Sequence, residues 1–136
     1  MKELLKRWVL FAKADLDAAQ RLFSSPKPTQ WTFILILWHC HQTIEKMLKM
    51  MIIAKGKELF KIHDLPRLFE QTEINNLPKE YKIFLYQLNK YYLYSRYPDI
   101  VYSKPYPQSN KEKAEKYLKL TLECYLWLKK LVFPKK

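Results

Sequence analysis

A chain of 136 residues with one glycine, Gly56, and eight prolines has few ways to fold. β-Hairpins, phosphate-cradling loops and dinucleotide-binding turns need glycine wherever the backbone takes positive φ or approaches a ligand closely. A single glycine argues against them, and helices punctuated by proline fit better. The apolar periodicity agrees. Leu5, Trp8, Ala12, Leu16, Ala19 and Phe23 recur at three-and-four spacing and predict a first helix over residues 2–23, ended by Pro26 and Pro28. A long second helix over 30–54 carries Ile34, Leu37, His41, Ile44, Leu48 and Met51 as a stripe, with Gly56 as its C-terminal stop. Asp64 is placed to cap a short third helix through Gln71, whose inner face is Leu65, Leu68 and Phe69.

Asn75, Asn76 and Pro78 form the next turn, and a fourth helix over 79–94 turns Phe84, Leu85, Leu88 and Tyr92 inward. Pro98, Pro105 and Pro107 make residues 97–109 an irregular connection. The last helix, over 110–133, aligns Ala114, Tyr117, Thr121, Cys124, Leu128 and Leu131. The expected fold class is therefore all-α, a five-helix up-and-down bundle. Its 49% hydrophobic content fills one core, so residues 1–136 form a single domain. The segment from Trp31 to Trp38 is apolar almost all round, which calls for cover on more than one side. Eight of the ten tyrosines fall between Tyr81 and Tyr106, where they serve as packing and an interface or as a stacking surface for bases. Both features favour a homodimer, since a monomer would expose a large apolar patch.

Lysine and arginine number 25 against 13 acidic residues, a net charge of +12. The excess lies in the last helix and tail and around Lys46, Lys49, Lys55, Lys57 and Lys61. It favours anionic partners, although a solvated face is the plainer reading of such runs. Cys40 and Cys124 sit inside apolar helical patterns as buried free thiols of a reducing compartment, without the neighbours a metal needs. His39 and His41 face different sides of a helix and cannot chelate together. No metal and no cofactor is expected. Charged residues interrupt the N-terminus before any signal-like run develops, and the longest apolar stretch is far short of a bilayer span. The expected location is cytoplasmic, with no membrane partner.

The chemistry-bearing residues cluster in two places. Ser95-Arg96-Tyr97-Pro98-Asp99 follows the tyrosine-loaded fourth helix, and His63-Asp64-Leu65 opens the third. The candidate ligand set for a phosphate or nucleotide is Arg96, His63, Asp64, Tyr97, Asp99, Lys46 and Lys49. Each has a plainer role as well. Arg96 can stack and pair locally between Tyr97 and Asp99, His63 can fold back onto a helix start, and Lys46 and Lys49 can form an ordinary solvated edge. A catalytic set is not assigned.

Trp8, Asp15-Leu16 and Ala18, His39 and Gln42-Thr43-Ile44-Glu45-Lys46 with Leu48-Lys49, Gly56, His63-Asp64-Leu65 and Ser95-Arg96-Tyr97-Pro98-Asp99, in this order, resemble the HEPN family, the higher eukaryotes and prokaryotes nucleotide-binding domain. The resemblance implies an all-α bundle that dimerises and is commonly paired with a minimal nucleotidyltransferase in a toxin-antitoxin-like system. Ribonuclease members of the family carry an Arg-x(4-6)-His motif, in which arginine stabilises the phosphorane and histidine moves the 2′-hydroxyl proton. This chain departs from it, because Val101, Tyr102 and Ser103 stand where the histidine belongs. Tyrosine and serine do not titrate near neutrality, so the general base is missing. The resemblance thus implies a nucleotide-binding or accessory partner of a nucleotidyltransferase, not catalytic alone. A metal-independent RNase toxin that uses Arg96 with His63 is the alternative, with RNA as its ligand.

Overall fold

The computed structural model describes residues 1–94 and 109–134, and all regular structure among them is helical. The helices are α1 Lys2–Phe23, α2 Gln30–Ala54, α3 Leu65–Thr72, α4 Lys79–Asn89, α5 Tyr91–Tyr94 and α6 Lys111–Val132. α2 is the spine, packed most extensively against α1 and α6 and touching every other helix. The core gathers Leu5, Ala12 and Leu16 of α1, Leu37, Ile44 and Leu48 of α2, Phe84 and Leu88 of α4, and Cys124 and Leu128 of α6. Removing such apolar surface from water is the dominant favourable contribution to folding, at about 25 cal/mol per Å².

The ends of α2 follow from local chemistry. The Thr29 hydroxyl accepts from the Thr32 N–H at 3.4 Å, and the Thr32 hydroxyl accepts in return from the Thr29 N–H at 3.0 Å. This reciprocal pair satisfies two amides that a helix start leaves unbonded. At the other end Gly56 takes φ +71°. Its N–H donates to the Ile53 carbonyl at 2.9 Å, and the Lys57 N–H donates to the Ile52 carbonyl at 3.2 Å. Glycine is the residue that enters this left-handed turn without a Cβ penalty.

α3 is capped by Asp64, whose carboxylate accepts from the Arg67 N–H at 3.4 Å. Its far end is tied to the connection after α2. The ammonium of Lys55 donates to the Thr72 carbonyl, and that of Lys57 donates to the Gln71 carbonyl at 3.0 Å and pairs with Glu73. Asn110 opens α6 by accepting from the Lys113 N–H at 2.8 Å.

One feature departs from expectation. The helix predicted over 79–94 is two segments, α4 and α5, separated at Lys90. Just before this break, the Asn89 side-chain carbonyl accepts from the Leu65 N–H at 2.9 Å and joins α4 to the start of α3. The apolar start of α2 is only partly covered within the chain, for Trp31 is 52% and Leu35 41% exposed. Among the described residues no helix is long and apolar enough to cross a membrane.

Candidate functional site

The site grows from one face of α2. His41, Glu45 and Lys49 follow one another at four-residue intervals and therefore stack along a single stripe. All three are buried. A carboxylate and an ammonium in such surroundings persist only when they satisfy each other, since desolvation costs each several kcal/mol by order of magnitude. The Lys49 ammonium accordingly donates to Glu45 Oε2 at 2.9 Å.

The connection after α2 then returns His63 to the same carboxylate. His63 Nδ1 lies 3.0 Å from Glu45 Oε1 and 3.1 Å from Oε2, so its N–H is shared between the two oxygens. The imidazole is stacked on Tyr92 of α5, with ring centroids 4.4 Å apart and planes 19° from parallel. His41 approaches Tyr92 from a second direction, at 5.3 Å between centroids. Its Nδ1 is 3.7 Å from Glu45 Oε1. Burial drives the His41 imidazole down to about 4, a shift that the Glu45 charge, the Asn89 side chain and the His63 backbone only partly offset. His41 is therefore neutral at physiological pH.

Beside this cluster lies a cleft of about 270 Å³ lined by His63, Asp64, Asn89, Tyr92 and Leu93. That is just below the usual range for small-molecule sites, about 300–1,000 Å³. Glu45 and Lys49 do not line it and are buried, whereas the His63 side chain is 47% exposed.

A second ionic cluster occupies a different face of α2. Asp15 of α1 receives His39 Nδ1 at 2.9 Å on one oxygen and the Lys46 ammonium on the other. Burial pushes the Asp15 carboxyl upward, but the hydrogen bonds and charges of His39 and Lys46 outweigh it and hold the group below its ordinary 3.8. Burial also pushes Cys40 and Cys124 up to about 12, which leaves both as protonated thiols.

The candidate ligand residues are thus distributed as follows. His63 and Asp64 line one cleft, and Lys49 reaches His63 through Glu45. Lys46 is engaged with Asp15 instead, so the two lysines serve different clusters. Neither forms the plain solvated edge of the alternative reading, for Lys49 is buried and Lys46 mostly covered. Arg96, Tyr97 and Asp99 lie outside the described residues. Sequence reasoning passed over Glu45, Asn89 and Tyr92 as site residues. The first had a signal: His41, Glu45 and Lys49 place ionisable groups at regular spacing beside an apolar stripe. The bond from Leu65 to Asn89 leaves no trace in spacing.

A model of the HEPN domain matches residues 5–131. The fold is similar to that of TT1696 from Thermus thermophilus, with a TM-score of 0.74 and 20% identity over 93% of this chain and 96% of that one. It is also similar to ST0689, an archaeal HEPN homologue, with a TM-score of 0.71 and 24% identity over 94% of this chain and 97% of the other. No curated protein matches the sequence.

Proposed function

The chain belongs to the HEPN domain family, and on that premise we propose that it binds a nucleotide as a homodimeric, cytoplasmic partner of a minimal nucleotidyltransferase, in a pair of the toxin-antitoxin kind. The observation that carries this reading is the cleft beside His63, whose imidazole is anchored by a buried carboxylate and by Tyr92. Arg96 supplies the cation for the phosphate, followed in sequence by Tyr97 and Asp99. The lack of a histidine at the Arg-x(4-6)-His position argues against the ribonuclease activity of other members. Exposed Trp31 and Leu35 at the start of α2 support self-association, because a second copy would cover them.

The purified protein is expected to leave structured RNA intact while binding a ribonucleotide or the partner enzyme. RNA cleavage that disappears on Arg96→Ala would overturn this reading. It would favour the RNase alternative, in which His63 replaces the missing base. That alternative draws on one observation: His63 holds a carboxylate through Nδ1, the arrangement by which many acid-base histidines are oriented. Growth on induced expression, with and without the neighbouring gene, separates the two.

A further inference from the structure

The cleft beside His63 is walled by Tyr92 and Leu93 and carries two hydrogen-bond acceptors, on His63 and Asp64. Glu45 accepts a hydrogen bond from the Nδ1–H of His63, and in a neutral imidazole this leaves Nε2 as a lone pair. The two ring nitrogens point in diverging directions. With Nδ1 committed to a buried carboxylate and the side chain 47% exposed, Nε2 is the nitrogen left for a ligand. Asp64 caps α3 through Oδ1, and among the described residues its second oxygen has no hydrogen bond. Asn89 commits its carbonyl to the Leu65 N–H, so its amino group is the donor that remains.

The charges point the same way. Asp64 lines the cleft, and Glu45, bonded to His63, is already paired with the Lys49 ammonium. A phosphate placed here would meet the Asp64 carboxylate with no uncompensated cation lining the cleft among the described residues. A neutral group that donates two hydrogen bonds would meet two free acceptors. The volume of about 270 Å³ admits a sugar ring more readily than a whole nucleotide.

The geometry points to the cleft as a ribose subsite, in which the vicinal 2′- and 3′-hydroxyls donate to the free oxygen of Asp64 and to Nε2 of His63, with Glu45 as the positioning residue that fixes the imidazole. A carboxylate is the group that reads a ribose hydroxyl in dinucleotide-binding folds, and the same chemistry applies on a helical scaffold. The inference rests on the nucleotide-binding reading above and refines it. The sugar belongs to His63 and Asp64, and the phosphate to cations elsewhere in the chain. Such a diol is carried by a free ribonucleotide and by the 3′ end of an RNA.

The test measures equilibrium binding of the four ribonucleoside 5′-monophosphates, their 2′-deoxy and 2′,3′-dideoxy counterparts, and a short oligoribonucleotide with either a free or a phosphorylated 3′ end. At least one ribonucleotide or the free-ended oligomer is expected to bind about tenfold or more tightly than its hydroxyl-deficient or 3′-phosphorylated form, the effect of one charge-assisted hydrogen bond. Preference for the monophosphates identifies a free nucleotide and preference for the free-ended oligomer an RNA terminus, and each supports the subsite. Asp64→Ser retains a capping oxygen for α3 and is expected to abolish the discrimination with the melting temperature little changed.

Long-range 1H–15N correlation is expected to find His63 protonated on Nδ1, and Glu45→Gln is expected to alter that tautomer. Equal binding of ribo- and deoxyribonucleotides, lost in His63→Ala, would refute the ribose subsite while leaving a nucleotide site in place. A proton found on Nε2 would refute it too. Failure of every probe to bind would remove both readings.

Discussion

Among single residues, Glu45 and His41 carry the largest energetic consequences. Glu45 neutralises Lys49 and holds His63, so Glu45→Ala strands a buried ammonium. The expected loss is about 3–5 kcal/mol, read from the midpoint of urea denaturation. His41 dictates a pH dependence. Its folded value of about 4 lies below the ordinary 6.5, so the unfolded chain binds more protons between those two values. Stability is therefore fully present above about pH 6.5 and declines as the pH falls toward about 4, by on the order of 3 kcal/mol. Asp15, also held low, extends the decline: its contribution is present above the ordinary 3.8 and vanishes as pH drops through its folded value. Denaturation midpoints at stepped pH check both, and His41→Phe should flatten the upper limb.

Among elements, the turn after α2 offers the cleanest test. A Cβ added at Gly56 meets nothing within 4 Å, so the cost of Gly56→Ala is that of the positive φ alone, about 1 kcal/mol. Thermal denaturation measures it. The helices themselves are legible in the sequence for the same local reasons. Thr29, Asp64 and Asn110 sit immediately before apolar-periodic runs, Gly56 sits immediately after one, and α1 and α2 fall on their predicted residues. The break at Lys90 is not legible, since 79–94 reads as continuous helix. The interruption coincides with a tertiary bond, from Leu65 to Asn89, rather than with a breaker residue.

At the scale of the molecule, Trp31 and Leu35 form a half-exposed apolar stretch on a chain of net charge +12. Light scattering at micromolar concentration is expected to find a dimer, and Trp31→Glu with Leu35→Glu a monomer. The site is half legible. His63 and Asp64 are identifiable because a histidine and a carboxylate flank a helix start, but the partner of His63 is set by how the connection folds back over α2. Likewise Lys46 and Lys49 are three residues apart and look equivalent, yet the register of α1 against α2 gives Lys46 to Asp15, while Lys49 pairs within α2 with Glu45 one turn back. That division settles how α2 is seated. A helix apolar on nearly every side can rotate in an oily environment with little change in burial. Asp15 of α1 holding His39 and Lys46 on one face, and His63 of the following connection bound to Glu45 about a third of a turn from Lys46, admit a single azimuth. Exchanging Asp15, Lys46, Glu45 and Lys49 together for leucine or methionine should therefore leave helical circular dichroism intact while the amide spectrum broadens, the mark of a spindle without its keys.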